Sequence, residues 1–414
     1  MARLAARPDE DPRRQILLGL LQVALAAVDG RRRTREALAR ALRPSAARGG
    51  AGERFAAAAV GKAAASMTLG AADALGGALD RALIISKDGH IDAEARALPR
   101  VQIIESGHPV PDRRSLAAGA RLLAFLEDLD PAVRPLLLVS GGASSLAEVL
   151  APGASFEDLV RLNEDAHASA LAIEALNARR RALSRLKGGQ LAERLRGRRA
   201  LALLISDVPG DDPAVIGSGL AGPAPGGADD LERHVIASLG DALAAVRARA
   251  GRLAVGAPSE RFSGAAERLA VRFAHELALG APGLRIWGGE SVIELPERPG
   301  RGGRNQHLAL SAARLMAGQE ELFLLAAGTD GTDGPTADAG ALVDGNTCAR
   351  IALAGLDVDE CLRRADSGTA LAAAGDLVST GPTGTNVGDL VLGLKLPRAG
   401  ALEWSSALAA AASS

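Results

Sequence analysis

Eight short apolar runs alternate with longer amphipathic stretches, and this alternation limits the chain to an α/β architecture more firmly than any single motif does. The runs are Arg54–Val60, Ala82–Ser86, Val101–Glu105, Leu136–Ser140, Leu201–Ser206, Leu284–Trp287, Leu322–Ala327 and Leu390–Leu394. Between them, helical spacing predicts helices over Ala63–Leu79, Arg113–Leu129, Phe156–Leu176, Arg179–Leu195, Leu231–Ala248, Ala265–Leu279 and Gln306–Leu315. Strands separated by helices predict helical layers on a largely parallel sheet. Consecutive apolar residues suit strands covered on both faces. At 414 residues the chain is long for one core, so two domains are expected. A Gly, Pro and Asp cluster at 219–230 and a break at 249–262 place the expected division at 1–255 and 256–414.

Composition excludes several classes. Aromatic residues are 2% and Tyr is absent, so Ala, Leu and Val must fill the core. A net charge of −1 offers no electrostatic footprint for nucleic acid or an anionic membrane. No run reaches membrane-spanning length. The stretch Ile16–Val28 follows Asp9, Glu10 and Asp11, so Asp11-Pro12 reads as a helix start and Gly30 as its stop, not as a secretory leader. Cys348 and Cys361 lack metal-ligand spacing and read as reduced thiols of a cytoplasmic protein. Lysine occupies positions 62, 87, 187 and 395, and arginine supplies the other 44 of 48 basic residues. Codon bias is the bland explanation of that skew; the other reading draws attention to those four compact ammonium groups.

The regularity with most functional content is how the strands end. Val60 runs into Gly-Lys, Ser86 into Lys-Asp-Gly, Glu105 into Ser-Gly-His-Pro and Val139 into Ser-Gly-Gly-Ala-Ser-Ser. Ile205 runs into Ser-Asp-Val-Pro-Gly-Asp-Asp, Trp287 into Gly-Gly-Glu and Ala327 into Gly-Thr-Asp-Gly-Thr-Asp-Gly. Open parallel sheets bind ligands beyond the carboxyl ends of their strands. One such end is an ordinary turn; seven imply a large site.

Ser140, Gly141, Gly142, Ser144 and Ser145 carry a strand through two glycines into a helix start, an arrangement whose backbone N–H groups donate to an oxyanion, phosphate above all. A plain strand-to-helix turn is the other reading. Gly61-Lys62 lacks the rest of a Walker A loop. Gly217 to Gly222 spells Gly-x-Gly-x-x-Gly, but it does not directly follow a strand, and Pro223 and Pro225 bar a helix after it. Asp207, Asp211 and Asp212 share one loop, and Asp330 and Asp333 another; such carboxylates suit Mg²⁺ or solvated acidic turns. Lys62 opens a helix, Lys187 precedes Gly188-Gly189, and Arg301 and Arg304 flank two glycines, as charges that bind carboxylate or phosphoryl oxygens do. His108 is a candidate base or a structural histidine in a proline turn. No Gly-x-Ser-x-Gly elbow supports Ser-His-Asp hydrolysis. Together these groups read as phosphoryl transfer.

Eight collinear motifs carry a resemblance. Val60-Gly-Lys-Ala-Ala-Ala-Ser-Met, Ser106-Gly-His-Pro-Val-Pro-Asp, Val139-Ser-Gly-Gly-Ala-Ser-Ser and Leu183-Ser-Arg-Leu-Lys-Gly-Gly-Gln-Leu-Ala are four of them. Ile205-Ser-Asp-Val-Pro-Gly-Asp-Asp-Pro-Ala-Val-Ile, Gly303-Arg-Asn-Gln, Gly328-Thr-Asp-Gly-Thr-Asp-Gly-Pro-Thr and Thr380-Gly-Pro-Thr-Gly-Thr-Asn-Val complete the set. From about residue 12 to 396 the chain resembles the two-domain glycerate 2-kinase family, some members of which have been labelled hydroxypyruvate reductase.

The resemblance implies a Rossmann-like N-terminal domain with a largely parallel sheet, a smaller α/β C-terminal domain, and an active site in the interdomain cleft. It implies transfer of the ATP γ-phosphoryl group to the 2-hydroxyl of D-glycerate, with Mg²⁺, by a cytoplasmic monomer or homodimer. The family's lysine falls on Lys62 and its arginine on Arg304; Asp207 or a lysine is the general base. Asn305 and Asn386 join Ser140, Gly141, Gly142, Ser144, Ser145, Lys187 and Arg301 as expected substrate or phosphate contacts, and Asp330, Asp333 and Asp211 as expected metal carboxylates follow. The chain departs from the family pattern at Ala182, usually His; at His307, usually acidic; at Gly368, usually aromatic; and at Leu220, usually Pro. An NAD(P)H-dependent hydroxypyruvate reductase is the alternative enzyme, and it would need a dinucleotide fingerprint that is not found. A sugar-acid or nucleotide-binding regulator is the non-enzymatic alternative.

Overall fold

The structure is a computed structural model that describes residues 11–46, 53–168, 173–256 and 261–397. The chain divides into two compact units, residues 28–238 with 384–387, and residues 1–27 with 239–383 and 388–414.

The first unit is built on β1 (Arg54–Val60), β2 (Leu79–Lys87), β3 (Val101–Ser106), β4 (Val133–Val139), β5 (Ala200–Ile205) and β6 (Leu231–Ala237). All pairs are parallel, in the order β3-β2-β1-β4-β5-β6. The chain winds outward from β1 in both directions, so connections diverge between β1 and β4, where open α/β sheets form a ligand crevice. β1 reads Arg-Phe-Ala-Ala-Ala-Ala-Val, and alanine is a poor strand former on its own. Here ladders on both sides fix it, and Phe55 to Val60 are all buried. The core around it is aliphatic: Leu83, Ile85, Leu122, Leu137, Val139, Leu204 and Ile216, with Phe125.

The second unit holds β7 (Phe262–Ala265), β8 (Gly283–Val292), β9 (Leu322–Gly328), β10 (Gly340–Asp344), β11 (Leu377–Val378) and β12 (Asp389–Lys395). Its order is β11-β10-β9-β12-β8-β7, with β7 and β8 parallel and the other neighbours antiparallel. The parallel arrangement predicted from alternation therefore holds for the first sheet and not for this one. After β9 the chain returns as β10 through a short loop, which suffices for antiparallel neighbours but not for a parallel crossover. Phe262, Phe273 and Trp287 form an aromatic nucleus, with ring centroids 5.4 and 4.6 Å apart.

Two predicted helices are revised. Leu231–Ala248 is β6 followed by the helix Leu239–Ala250. The polar Glu232, Arg233 and His234, which mimic a helix surface, lie on a partly exposed strand held by β5. Arg179–Leu195 is interrupted between the helices Ile173–Ala182 and Gln190–Arg194 by Gly188 and Gly189, both left-handed. Asp11 does start the helix Pro12–Ala27, accepting from the Arg13 amide at 2.9 Å, but Gly30 begins the next helix instead of ending the chain's helical course. The contact division lies at 238/239, not at the expected 255, because Leu239–Ala250 packs on Pro12–Ala27 and β8 within the second unit. Among the described residues no helix is long and apolar enough to cross a membrane.

Candidate active site

In the parallel-sheet unit the ends of β1, β4 and β5 converge. The Ser140 amide donates to Val60 O at 3.1 Å and the Lys62 amide to Gly141 O at 3.0 Å, so the two loops lock together. Ser140 Oγ accepts the Ala63 amide at 3.0 Å, tying the β4 end to the start of the helix Ala64–Leu75. A Cβ on Gly141 would stand 2.0 Å from Asn386 Nδ2 and 2.1 Å from Asp207 Oδ2, so glycine is required for those side chains to reach the turn. A Cβ on Gly142 would lie 3.1 Å from the His108 ring and 3.3 Å from Lys62 Cγ. Lys62, His108, Asp207 and Asn386 thus flank one backbone turn. Asn386 Nδ2 donates to Asp207 Oδ2 at 3.2 Å, and Asp207 is half-buried.

Ser144 and Ser145 continue that turn as the short helix Ala143–Leu146. Ser145 Oγ donates to Gly142 O at 3.2 Å, and the Ser144 and Ser218 hydroxyls are 2.9 Å apart. Lys187 behaves differently from a surface phosphate contact. Its side chain is 1% exposed and its ammonium is hydrogen-bonded to Glu148, itself 1% exposed. Asp211 ends the turn Pro209–Asp211 in a left-handed conformation, half-buried.

In the mixed-sheet unit the constellation is ionic. Arg304 opens the helix Arg304–Leu315, pairs with Glu290 at the end of β8, and lies 3.3 Å from Asp389 at the start of β12. Burial works against its charge, but Asp389 and Glu290 outweigh it and hold the guanidinium above its ordinary value. Asp333 accepts the Asn305 amide at 3.0 Å and the Gln306 amide at 2.8 Å, one on each oxygen, and so caps that helix. Burial pushes its pKa up to about 7 against the pull of those amides. A Cβ on Gly303 would fall 2.3 Å from the Asp333 carboxyl carbon, so this glycine too admits a carboxylate. Asp330 accepts from the Thr332 amide at 2.9 Å and shapes its own loop. Arg301 is held by Asp338 at 2.7 Å, and Ser379 shares that carboxylate.

The structure therefore gathers Lys62, Ser140, Gly141, Gly142, Asp207 and Asn386 in one unit, and Arg304, Asn305, Asp330 and Asp333 in the other. Among the described residues no group of three His, Cys, Asp or Glu side chains forms a preformed metal cage. Sequence reasoning passed over Glu148, Ser218, Glu290 and Asp389. Glu290 had a signal, since it follows Gly288-Gly289 at a strand end; Asp389 had a weaker one, directly after Gly388. A cavity of about 1070 Å³ in the mixed-sheet unit, lined by Arg13, Arg14, Phe323, Asp344, Arg350 and Asp376, contains none of the expected site residues. Its charges pair internally, Arg14 with Asp344 at 2.8 Å and Arg350 with Asp376 at 2.7 Å.

A parallel doubly wound sheet with glycine-lined polar strand ends, joined to a unit with a mixed sheet and a capped arginine helix, defines the class: a two-unit α/β protein with glycine-rich polar loops at its strand ends. Residues 16–245 match the family described as a domain of unknown function, DUF4147, and residues 283–389 match the MOFRL family. The chain is 36% identical over 376 residues to a D-glycerate 2-kinase of Thermotoga maritima, covering 81% of this chain and 89% of that protein. It is also 36% identical over 355 residues to a putative hydroxypyruvate reductase of Agrobacterium vitis, covering 74% of this chain and 90% of that protein. A crystal structure of glycerate kinase from Thermotoga maritima superposes with a TM-score of 0.76 at 31% identity, over 94% of this chain and all of the other. The chain belongs to the two-domain glycerate 2-kinase family.

Proposed function

We propose that this chain is an ATP-dependent glycerate 2-kinase that phosphorylates the 2-hydroxyl of D-glycerate to give 2-phosphoglycerate. The observation that carries the reading is the Gly141–Gly142 turn at the divergence of β1 and β4, with Lys62 and Asp207 on it, in a chain of this family. A Rossmann-like frame of this kind offers backbone N–H groups to an oxyanion, and Lys62 adds a point charge for the same group. In this reading Asp207, which accepts from Asn386 Nδ2, takes the proton of the attacking hydroxyl. Arg304 neutralises charge on the phosphoryl oxygens, its guanidinium orientation set by Glu290 and Asp389.

The donor set of the mixed-sheet unit fits Mg²⁺. Asn305 Oδ1 is a buried oxygen without a hydrogen-bond partner, Asp389 Oδ2 is buried beside the Arg304 guanidinium at 3.3 Å, and hard oxygen donors with few carboxylates are what this ion takes. Asp330, Asp389 and Asn305 would hold it, and when bound it supplies charge neutralisation to the phosphoryl oxygens. Asp333, with both oxygens engaged by amides, fixes the helix that presents Arg304 and Asn305. Asp211 stands as a separate candidate carboxylate in its own unit. The proposed setting is cytoplasmic, with small-molecule partners, no nucleic acid, and a monomer or homodimer.

The reductase alternative has less support. Gly217, Ser218 and Gly219 are successive left-handed residues in a turn, not the helix start that a dinucleotide pyrophosphate needs. A coupled assay with D-glycerate, ATP and Mg²⁺ tests the reading, with the product resolved as 2- or 3-phosphoglycerate. ADP and 2-phosphoglycerate are expected; NADH oxidation with hydroxypyruvate and no ADP release would replace the kinase by the reductase.

A further inference from the structure

Among the described residues Lys187 is the most buried cation of the parallel-sheet unit, and its burial needs a reason. A lysine at 1% exposure loses its hydration, which pulls its pKa below the ordinary value, and Glu148 offsets that loss in part. Replacing such a pair by apolar residues of similar volume is often neutral for stability. Stability alone therefore does not account for it.

The connections around the pair close into a ring. Glu148 lies two residues beyond the helix Ala143–Leu146, the end of the glycine turn. Its Oε1 accepts from Ser184 Oγ at 2.5 Å and from the Val149 amide at 3.0 Å, and its other oxygen takes the Lys187 ammonium. Ser184 Oγ in turn accepts the Leu186 and Lys187 amides, both at 3.1 Å. The next two amides after Lys187, those of Gly188 and Gly189, donate to Ser218 O at 3.0 Å and Gly219 O at 2.9 Å. Ser218 Oγ then meets Ser144 Oγ at 2.9 Å, back on the turn. Ser218 has φ 57°, a left-handed conformation that a residue with a Cβ adopts only when its surroundings enforce it. The ring is what enforces it.

We infer that Lys187 and Glu148 are positioning residues: they brace the Ser140–Ser145 turn through Ser218 and set its affinity for the anionic group seated there, without touching that group. The inference rests on the kinase reading and deepens it. It also reassigns Lys187 from phosphate contact to brace, and it gives Gly217–Gly219 a purpose as the left-handed link of the ring. The anion is a nucleotide phosphate or the glycerate carboxylate, and varying each substrate separately distinguishes them.

The test compares full-length wild type with E148Q, K187M, the double variant E148L/K187M and the milder S184A, each checked for folding by its melting transition. KM and kcat are measured with ATP and D-glycerate varied in turn, and Kd for ADP and for D-glycerate by titration calorimetry. E148Q and K187M are each expected to raise KM and Kd for one of the two ligands tenfold or more, with kcat within threefold. The double variant should be no worse than the poorer single, and S184A should shift the same constant about threefold. A rise with K187M and none with E148Q would make Lys187 a direct ligand and overturn the inference. Unchanged constants in the folded double variant would also overturn it, leaving the pair as core filling. Wild type that binds ADP or glycerate but gives no 2-phosphoglycerate would instead sink the kinase reading, and the Kd values would still decide on the brace. If the single variants do not fold, the double variant and S184A decide it by the same constants.

Discussion

Two glycines in this protein do the same geometric job with different consequences. Gly141 lets Asp207 approach the β4 end, and Gly303 lets Asp333 approach the helix Arg304–Leu315; in each case a Cβ would collide with the carboxylate. Asp207 is half-buried and held by a side-chain amide at 3.2 Å. Asp333 is 2% exposed and grips two backbone amides at 3.0 and 2.8 Å. A carboxylate fixed by two main-chain donors at a helix start is a cap, since moving it would leave those donors unpaired. The same local pattern, a loop aspartate against a glycine, thus yields a carboxylate met by a side-chain amide in one unit and one locked to two backbone amides in the other.

Substituting the two glycines breaks the comparison most directly. Gly141→Ala should lower kcat/KM by about 10³ or more, because it displaces Asp207 and Asn386 while the alanine itself sits on the turn. Gly303→Ala should act first on stability, lowering the melting temperature, since it drives Asp333 off its two amides at a cost of about 1–3 kcal/mol per orphaned group. Equal losses of melting temperature in both variants would erase the distinction drawn here.

Charge removal comes next in size. Lys62→Ala and Arg304→Ala should each reduce kcat/KM by about 10²–10³, the range found when a preorganised charge-stabilising donor is lost. If either variant stayed within about tenfold of wild type, roughly 1.4 kcal/mol of barrier, its assignment would be wrong. Glu290→Gln should be milder, under about fivefold, because Asp389 still orients Arg304 from 3.3 Å. A loss from Glu290→Gln as large as that of Arg304→Ala would show that Glu290, and not the guanidinium, carries the effect.

The loops that come together at the β1 and β4 ends were legible in the sequence because their signals are local. Val60-Gly-Lys and Val139-Ser-Gly-Gly announce strand ends with bare backbone, and the structure joins them through the Lys62 amide and Gly141 O. Strand-by-strand alternation also predicted the parallel sheet. The second sheet was not predicted as mixed, because Gly340–Asp344 and Leu377–Val378 are too short to stand out and their direction depends on loop length. Lys187 resembled a phosphate contact because Lys-Gly-Gly is a local pattern, while its partner Glu148 is 39 residues away. Asp333 likewise resembled Asp330 until burial and the two amides of a helix beginning 29 residues earlier separated them.

The smallest expected effect isolates Asp333 from Asp207, the proposed base. In the folded protein burial holds its pKa at about 7, above the ordinary aspartate value near 3.9. Between those two values the folded state binds more protons than the unfolded state, so this group's contribution to stability falls as pH rises through that window and levels off above 7. The slope from a single proton cannot exceed about 1.4 kcal/mol per pH unit. Melting temperatures of wild type and Asp333→Asn, recorded from pH 4 to 8 with chelator present, should show wild type losing ground to the variant between about pH 4 and 7 and running parallel above. Asp207→Asn, by contrast, should abolish turnover. Parallel curves for wild type and Asp333→Asn over the whole range would mean that the two amides win over burial, keeping Asp333 ionised throughout, a still stronger cap than the one described.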